Sequence, residues 1–211
     1  MRPVIEPVAI AILAKAPQPG FAKTRLIPAL GADGAAALQA RMAAHAVKTA
    51  STSGIGPMTV WAAPDENHSF FQDLSANFPI ALARQPDGDL GQRMLAALTA
   101  ASGPALVIGV DCPVLTAGHL RAAADALRAG SDAAVIPAED GGYVLIGLRA
   151  PQPEIFTAMH WSTGGVMEET RRRCASIGIA MRELAPLWDV DRPEDLDRLR
   201  ACGLNDLAGA A

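Results

Sequence analysis

Lys15, Lys23 and Arg25 fall within eleven residues, in the stretch Lys15-Ala16-Pro17-Gln18-Pro19-Gly20-Phe21-Ala22-Lys23-Thr24-Arg25, and no acidic residue stands between Glu6 and Asp33. In a chain whose formal net charge is −4, this is a focused positive patch. Pro17 and Pro19 stiffen the segment and Gly20 lets a ligand approach the backbone. A polyphosphate could then be held by two ammonium groups and one forked guanidinium. The segment is not a P-loop, because that motif needs a glycine immediately before Lys23, where Ala22 stands. A solvated basic surface loop is the plain alternative.

Carboxylates at other positions supply the complementary chemistry. The apolar run Ala105–Val110 reads as a buried strand that delivers Asp111 at its C-terminal end, ahead of Cys112 and Pro113. A strand-end aspartate is a hard oxygen ligand suited to Mg2+ or Mn2+, although it can equally satisfy backbone amides in a turn. A second acidic group occurs in Trp188-Asp189-Val190-Asp191-Arg192-Pro193-Glu194. Asp191 reads as the N-cap of a helix beginning at Pro193, with Glu194 completing a box-like arrangement. Asp189 has no such local role and is the preferred second metal ligand, with Asp191 in reserve.

Two glycine-bearing loops complete the candidate set. Gln85-Pro86-Asp87-Gly88-Asp89-Leu90-Gly91-Gln92-Arg93 opens a helix whose N-terminal amides, with Arg93, could meet a base or a phosphate. Asp140-Gly141-Gly142-Tyr143 places two permissive residues before a strand, where a ligand could approach closely. Either segment could be an ordinary turn. Other chemistries find little footing. His45, His68, His119 and His160 form no H-x-x-x-H pair, and Cys112, Cys174 and Cys202 are odd in number and widely spaced. No G-x-S-x-G elbow and no G-x-G-x-x-G after the first strand is present.

These residues need a scaffold, and the chain alternates short β-rich runs with helical patterns. Strands are expected at Val4–Leu13, Met58–Ala62, Ile80–Ala83, Ala105–Val110, Ala133–Ile136 and Tyr143–Leu148. Helices are expected at Ala35–Ala50, at Leu90–Ala101, at Ala117–Ala129 behind Thr116 and at Val166–Ile177 behind Thr163, with a last helix from Pro193. Continuous apolar strands separated by helices define an α/β chain with a mostly parallel sheet covered on both faces. The site then lies beyond the C-terminal strand ends. At 211 residues, half of them hydrophobic, one domain spanning 1–211 is expected. The net negative charge argues against a nucleic-acid partner, and no apolar run reaches membrane length, so a soluble cytoplasmic protein is expected. Nothing in the pattern sets an oligomeric state.

Five ordered pieces, running from about Ala11 to about Leu199, together carry a resemblance. They are Lys15-Ala-Pro-x-Pro-Gly-x-x-Lys23-Thr-Arg25-Leu, Gly88-Asp-Leu-Gly-x-Arg93, Gly109-x-Asp111-x-Pro113-x-Leu, Asp140-Gly-Gly-Tyr143-x-Leu-Ile-Gly and Asp189-Val-Asp191-x-Pro193-Glu-Asp-Leu. The sequence resembles the bacterial glycosyltransferase-like family known as a domain of unknown function, DUF2064, within the GT-A nucleotide-diphospho-sugar transferases. Its first loop is also similar to that of phospholactate guanylyltransferases. Arg192 stands where a small Thr is common in such loops.

The resemblance implies a three-layer Rossmann-like GT-A fold with a mixed sheet, and a metal held by Asp111 with Asp189 or Asp191. It implies that Lys15, Lys23 and Arg25 hold phosphates beside Gly20 and that Gly88, Gly91 and Arg93 border the nucleotide. Gly141, Gly142, Tyr143, Trp161, Ser162 and Thr163 would border the acceptor. Two reactions fit. In glycosyl transfer from a nucleotide sugar to a small acceptor, Asp140 or Glu139 would serve as the base. In nucleotidyl transfer, a phosphorylated acceptor would attack a nucleoside triphosphate and release pyrophosphate. A non-catalytic nucleotide-binding module is the third reading.

Overall fold

The computed structural model describes residues 6–161 and 163–208. Its seven strands are β1 (Ala9–Lys15), β2 (Met58–Ala63), β3 (Ile80–Arg84), β4 (Ala105–Ile108), β5 (Ala133–Pro137), β6 (Tyr143–Leu148) and β7 (Met181–Glu183). The helices are α1 (Ile27–Ser53), α2 (Ser69–Asn77), α3 (Leu90–Thr99), α4 (Ala117–Arg128), α5 (Pro153–Phe156), α6 (Val166–Ser176), α7 (Pro193–Ala201) and α8 (Asn205–Ala208). The strands form one sheet in the order β3-β2-β1-β4-β6-β5-β7. β6 runs antiparallel to β4 and β5, and the other pairs are parallel. The sheet is therefore mixed, in the expected α/β class.

Alternation along β1 shows how the layers arise. Ile10, Ile12 and Ala14 face a core built with Ala43, Val47 and Ala50 of α1, Phe71 of α2 and Leu120 and Ala124 of α4. Ala11 faces the opposite core, with Met94 and Leu98 of α3, Phe156 of α5 and Met167 and Cys174 of α6. Period-2 side chains on a strand buried on both faces produce this three-layer arrangement. A third cluster joins Leu38 and Met42 of α1 to Leu196 and Leu199 of α7 and to the segment bearing Trp188 and Val190.

The chain leaves β1 for β2 on one side and later enters β4 on the other. The ends of β1 and β4 thus flank a topological switch point, where open α/β sheets bind ligands. Lys15 closes β1, and Asp111 follows β4 by three residues. Because β6 is antiparallel, its first residue Tyr143 lies at that same edge, beside the exit of β5 that carries Glu139 and Asp140.

Several boundaries differ from expectation. β1 begins at Ala9 and runs to Lys15, and the expected residues Val4 and Ile5 lie outside the described residues. α1 starts at Ile27 rather than near Ala35, with a non-helical Gly31 (φ 70°) marking a break near its start. Thr163 does not cap α6: Gly165 stands at that N-cap, and the Thr163 hydroxyl donates to the His160 carbonyl at 2.9 Å. Asp191 does not cap α7 either. The N-cap is Arg192, whose guanidinium has no acceptor to offer, and Asp195 reaches back to accept the Asp191 and Arg192 amides at 2.9 and 2.7 Å. Among the described residues no helix is long and apolar enough to cross a membrane.

Candidate active site

Two adjoining cavities open at the sheet edge defined by the ends of β1 and β4. The first, of about 440 Å3, is bordered by Lys15, Lys23, Arg25, Gln39, Gln85, Arg93 and the chain from Val107 to Cys112. The second, of about 540 Å3, is bordered by Glu139, Asp140, Gly142, Trp161, Thr163, Trp188, Arg192 and Arg198. Asp111, Asp189, Asp191, Arg25, Leu90 and Tyr143 border both. Three carboxylates therefore stand on the wall between the cavities.

Local folding explains how they reach it. Trp188 and Val190 are buried in the third cluster. Asp189 and Asp191, one residue out of phase, face the other way. The Val190 amide donates to the Asp111 carbonyl at 2.8 Å, which joins this segment to the loop after β4. Asp195 relieves Asp191 of capping, so the Asp191 side chain is available to pair with Arg25. Asp189 makes no such pair among the described residues and is half-buried.

Lys23, expected to hold phosphate, is engaged within the protein in this structure. Its ammonium donates to the Val190 carbonyl at 2.6 Å and pairs with Asp111 Oδ1 at 2.6 Å, and its side chain is only 6% exposed. Its backbone is left-handed, with φ 49°, a conformation that costs a β-carbon-bearing residue energy and needs the surrounding contacts to hold it. In this state Lys23 is the counter-ion of Asp111, and it ties the first loop to both acidic segments. Arg25 is likewise engaged, with Asp191. Lys15, exposed at the end of β1, has no ion pair among the described residues.

Arg93 is fixed from below. Gln85 is buried, and its amide nitrogen donates to the carbonyls of Ala14 (3.2 Å) and Trp61 (2.8 Å), which aims its oxygen at Arg93 Nη1, 3.5 Å away. Arg93 Nε is buried without a hydrogen-bond partner among the described residues. Opposite it, Gln39 of α1 donates to the Lys15 carbonyl at 3.1 Å. Sequence reasoning did not single out Gln39, which sits within an ordinary helical pattern between Leu38 and the next apolar turn and carries no local signal.

Gly91 and Gly141 act through packing. Gly20, Gly88, Gly91 and Gly141 line neither cavity. A β-carbon on Gly91 would lie 2.6 Å from the Trp161 ring and 2.9 Å from the Phe156 carbonyl oxygen, and one on Gly141 would lie 2.1 Å from the Gly164 carbonyl oxygen. These contacts draw the Trp161 loop over α3 and the Asp140 loop. Tyr143 meets Trp161 edge-on, with ring centroids 6.4 Å apart and planes at 90°. Burial pushes the Tyr143 hydroxyl well above its ordinary range, so it stays protonated. Ser162 lies outside the described residues.

Electrostatics mark Asp189 as the unusual group. Desolvation raises its pKa first, and the neighbouring charges of Asp140 and Asp111 raise it further, from 3.8 to about 6. A divalent cation would relieve that concentration of negative charge, and Asp111 and Asp189 carry the oxygen donors that Mg2+ or Mn2+ prefers. Among the described residues no three His, Cys, Asp or Glu side chains converge closely enough to hold a metal by themselves. Asp140 Oδ1 accepts the Gly142 amide at 2.9 Å, which orients this carboxylate in the second cavity. Burial pushes the thiol of Cys112, next to Asp111, up to about 12, which disfavours the thiolate a nucleophile needs.

The mixed sheet, its switch point and the paired cavities define an α/β fold of the nucleotide-diphospho-sugar transferase type. A structure from Desulfovibrio desulfuricans G20, provisionally named a nucleotide-diphospho-sugar transferase, is 27% identical to this chain. It superposes with a TM-score of 0.84 over 94% of this chain and 88% of that one. Cytidine-5'-monophosphate:2-keto-3-deoxy-manno-octonic acid synthetase complexed with CTP shares the fold at 14% identity and TM-score 0.62, covering 95% of this chain and 100% of its own. So does a nucleotidyl transferase from Methanothermobacter thermautotrophicus, at 15% identity and TM-score 0.61, over 94% and 99%. No curated protein matches the sequence. The chain belongs to the family described as uncharacterized proteins conserved in bacteria, DUF2064, whose model matches residues 42–163.

Proposed function

We propose that the protein is a metal-assisted glycosyltransferase that takes a nucleotide sugar in the first cavity and a small hydroxyl-bearing acceptor in the second. The observation that carries this reading is the charge of the second cavity. Glu139, Asp140, Asp189, Asp191, Asp195 and Asp111 border it, against Arg25, Arg192 and Arg198. Arg25 is paired with Asp191, Arg198 with Glu139 and Lys23 with Asp111, leaving Asp140, Asp189 and Asp195 set against Arg192. Such a chamber repels an ionised phosphate acceptor and suits a neutral hydroxyl, which needs a carboxylate to take its proton. Nucleotidyl transfer to a phosphorylated acceptor is the reading this charge disfavours.

In the reaction, the acceptor oxygen forms a bond to the anomeric carbon of the donor sugar while the bond from that carbon to the diphosphate breaks. Asp140, oriented by the Gly142 amide, receives the acceptor's proton. Lys15 and Arg93 balance the charge gathering on the departing nucleoside diphosphate, and Gln85 holds Arg93 in place. Asp111 and Asp189 would hold the ion, which when bound supplies Lewis-acid stabilisation of the leaving diphosphate. Lys23 keeps Asp111 in position and compensates its charge. Most of the rate gain would come from positioning and fixed charge rather than from covalent chemistry.

A thermal-shift panel tests this assignment, because a ligand that binds only the folded state raises the melting temperature. With Mn2+ present, at least one nucleotide sugar should stabilise the protein more than any nucleoside triphosphate does. Stabilisation by one triphosphate alone would favour nucleotidyl transfer, and a flat panel would favour a non-catalytic module.

A further inference from the structure

Three large apolar side chains are exposed among the described residues: Phe21 at 75%, Leu90 at 45% and Ile177 at 40%. Ile177 follows the last turn of α6, away from both cavities. Phe21 and Leu90 border the same cavity, from separate elements. Neither is exposed through a loose backbone. The Phe21 and Ala22 amides donate to the Gln18 carbonyl at 3.1 and 3.0 Å, so the phenyl ring projects from a hydrogen-bonded turn. Leu90 is the first residue of α3, where Asp89 accepts the Gln92 amide and Gln92 returns a bond to the Asp89 amide.

Two exposed apolar side chains bordering a cavity that Lys15 and Arg93 also border describe a ligand with two ends. One end is anionic. The other is flat and apolar enough to cover a phenyl ring. We infer that Phe21 and Leu90 hold the nucleobase of the bound nucleotide by stacking and contact, while the cations hold its diphosphate. This rests on the reading of the first cavity as the nucleotide site. It goes further in assigning the base-holding residues and the mode of recognition: the face of the base is covered here, so Phe21 and Leu90 contribute affinity for a base as such. Because every base has a π-face, this contribution is tolerant of base identity.

Inorganic pyrophosphate, which lacks a base, separates this inference from the functional reading beneath it. Calorimetric titrations with Mg2+ would compare ADP, GDP, CDP, UDP and pyrophosphate on the wild type and on Phe21→Ala, Leu90→Ala and Phe21→Tyr. Both side chains are exposed, so the variants should keep the wild-type melting temperature, which is checked alongside. Phe21→Ala should weaken the nucleoside diphosphates that the wild type binds by about 5- to 150-fold, the range for loss of one base–aromatic stack. Leu90→Ala should weaken them less, Phe21→Tyr should retain them, and pyrophosphate should bind all four proteins alike. Unchanged nucleotide affinity in Phe21→Ala, or an equal loss for pyrophosphate, would overturn the inference while leaving a phosphate site standing. If the wild type binds pyrophosphate as tightly as every nucleotide, base recognition is overturned as well. Binding of neither would overturn the nucleotide reading of the cavity and this inference with it.

Discussion

Asp189 is stabilised as an acid by the fold, so converting it to the neutral isostere Asn should make the metal-free protein more stable at neutral pH. Burial and the charges of Asp140 and Asp111 raise its pKa from 3.8 to about 6. Between those values the folded chain retains a proton that the unfolded chain has released. Stability therefore falls as pH rises across this window and stays at its lower level above it. At about 1.36 kcal/mol per pH unit the full displacement corresponds to at most about 3 kcal/mol. Solvent still reaches the half-buried carboxylate and screens it, which reduces the expected gain in Asp189→Asn to about 1 kcal/mol. For a chain of this size that is about 2–4 °C in melting temperature. The assay is urea unfolding in EDTA at pH 7.5 and at pH 4. The gain should be present at the higher pH and largely gone at the lower, and in a separate titration with Mg2+ the variant should lose metal-dependent nucleotide binding. Equal stability of the two proteins at pH 7.5, or a gain that persists unchanged at pH 4, would refute the argument that like charge and burial strain this group.

Further outcomes follow from the same geometry. Lys23→Met removes both the ion pair to Asp111 and the bond to the Val190 carbonyl, and should cost about 2 kcal/mol in urea unfolding; an unchanged midpoint would show that the pair holds nothing together. Gly91→Ala would place a methyl group 2.6 Å from the Trp161 ring, so it should lower stability by about 1–3 kcal/mol and alter tryptophan fluorescence. A fluorescence spectrum identical to wild type would mean that the Trp161 loop does not rest on α3. With its thiol pushed up to about 12, Cys112 should escape iodoacetamide at pH 8 under conditions that alkylate the exposed Cys202, as read by peptide mass spectrometry. Comparable labelling of the two would contradict the burial of Cys112.

Much of the scaffold was legible because its central strands are short, wholly apolar runs between helical patterns. β4, β5 and β6 come out close to the sequence-based boundaries. Four elements gave no such signal, the four-residue helices α5 and α8 among them. α2 is capped by His68, whose ring nitrogen accepts the Phe70 amide, an unusual cap, and β7 is three residues at the sheet edge with two of them exposed. In the candidate site, Asp111 was visible as a strand-end carboxylate that could equally have served a turn, and Asp189 as one without a local structural duty. Asp191 was misread because Pro193 and the residues around it suit a cap, and only the fold reveals that Asp195 takes that duty over. The partners of Lys23 were not legible, since Asp111 and Val190 lie 88 and 167 residues away along the chain. Charge type fixes what a lysine can bind, but tertiary placement decides which anion reaches it.

The central claim is transfer of a sugar from a nucleotide to a hydroxyl acceptor across the Asp111 and Asp189 wall. Phosphorus NMR of the protein with Mg2+, UDP-glucose or GDP-mannose and a polyol such as glycerol tests it most directly. The account predicts that the donor diphosphate signals give way to those of a free nucleoside diphosphate, with glycosylated polyol in the same sample and neither change in Asp140→Asn. Donor left intact, while a nucleoside triphosphate and a sugar phosphate in a parallel sample release pyrophosphate, would contradict it and assign nucleotidyl transfer instead.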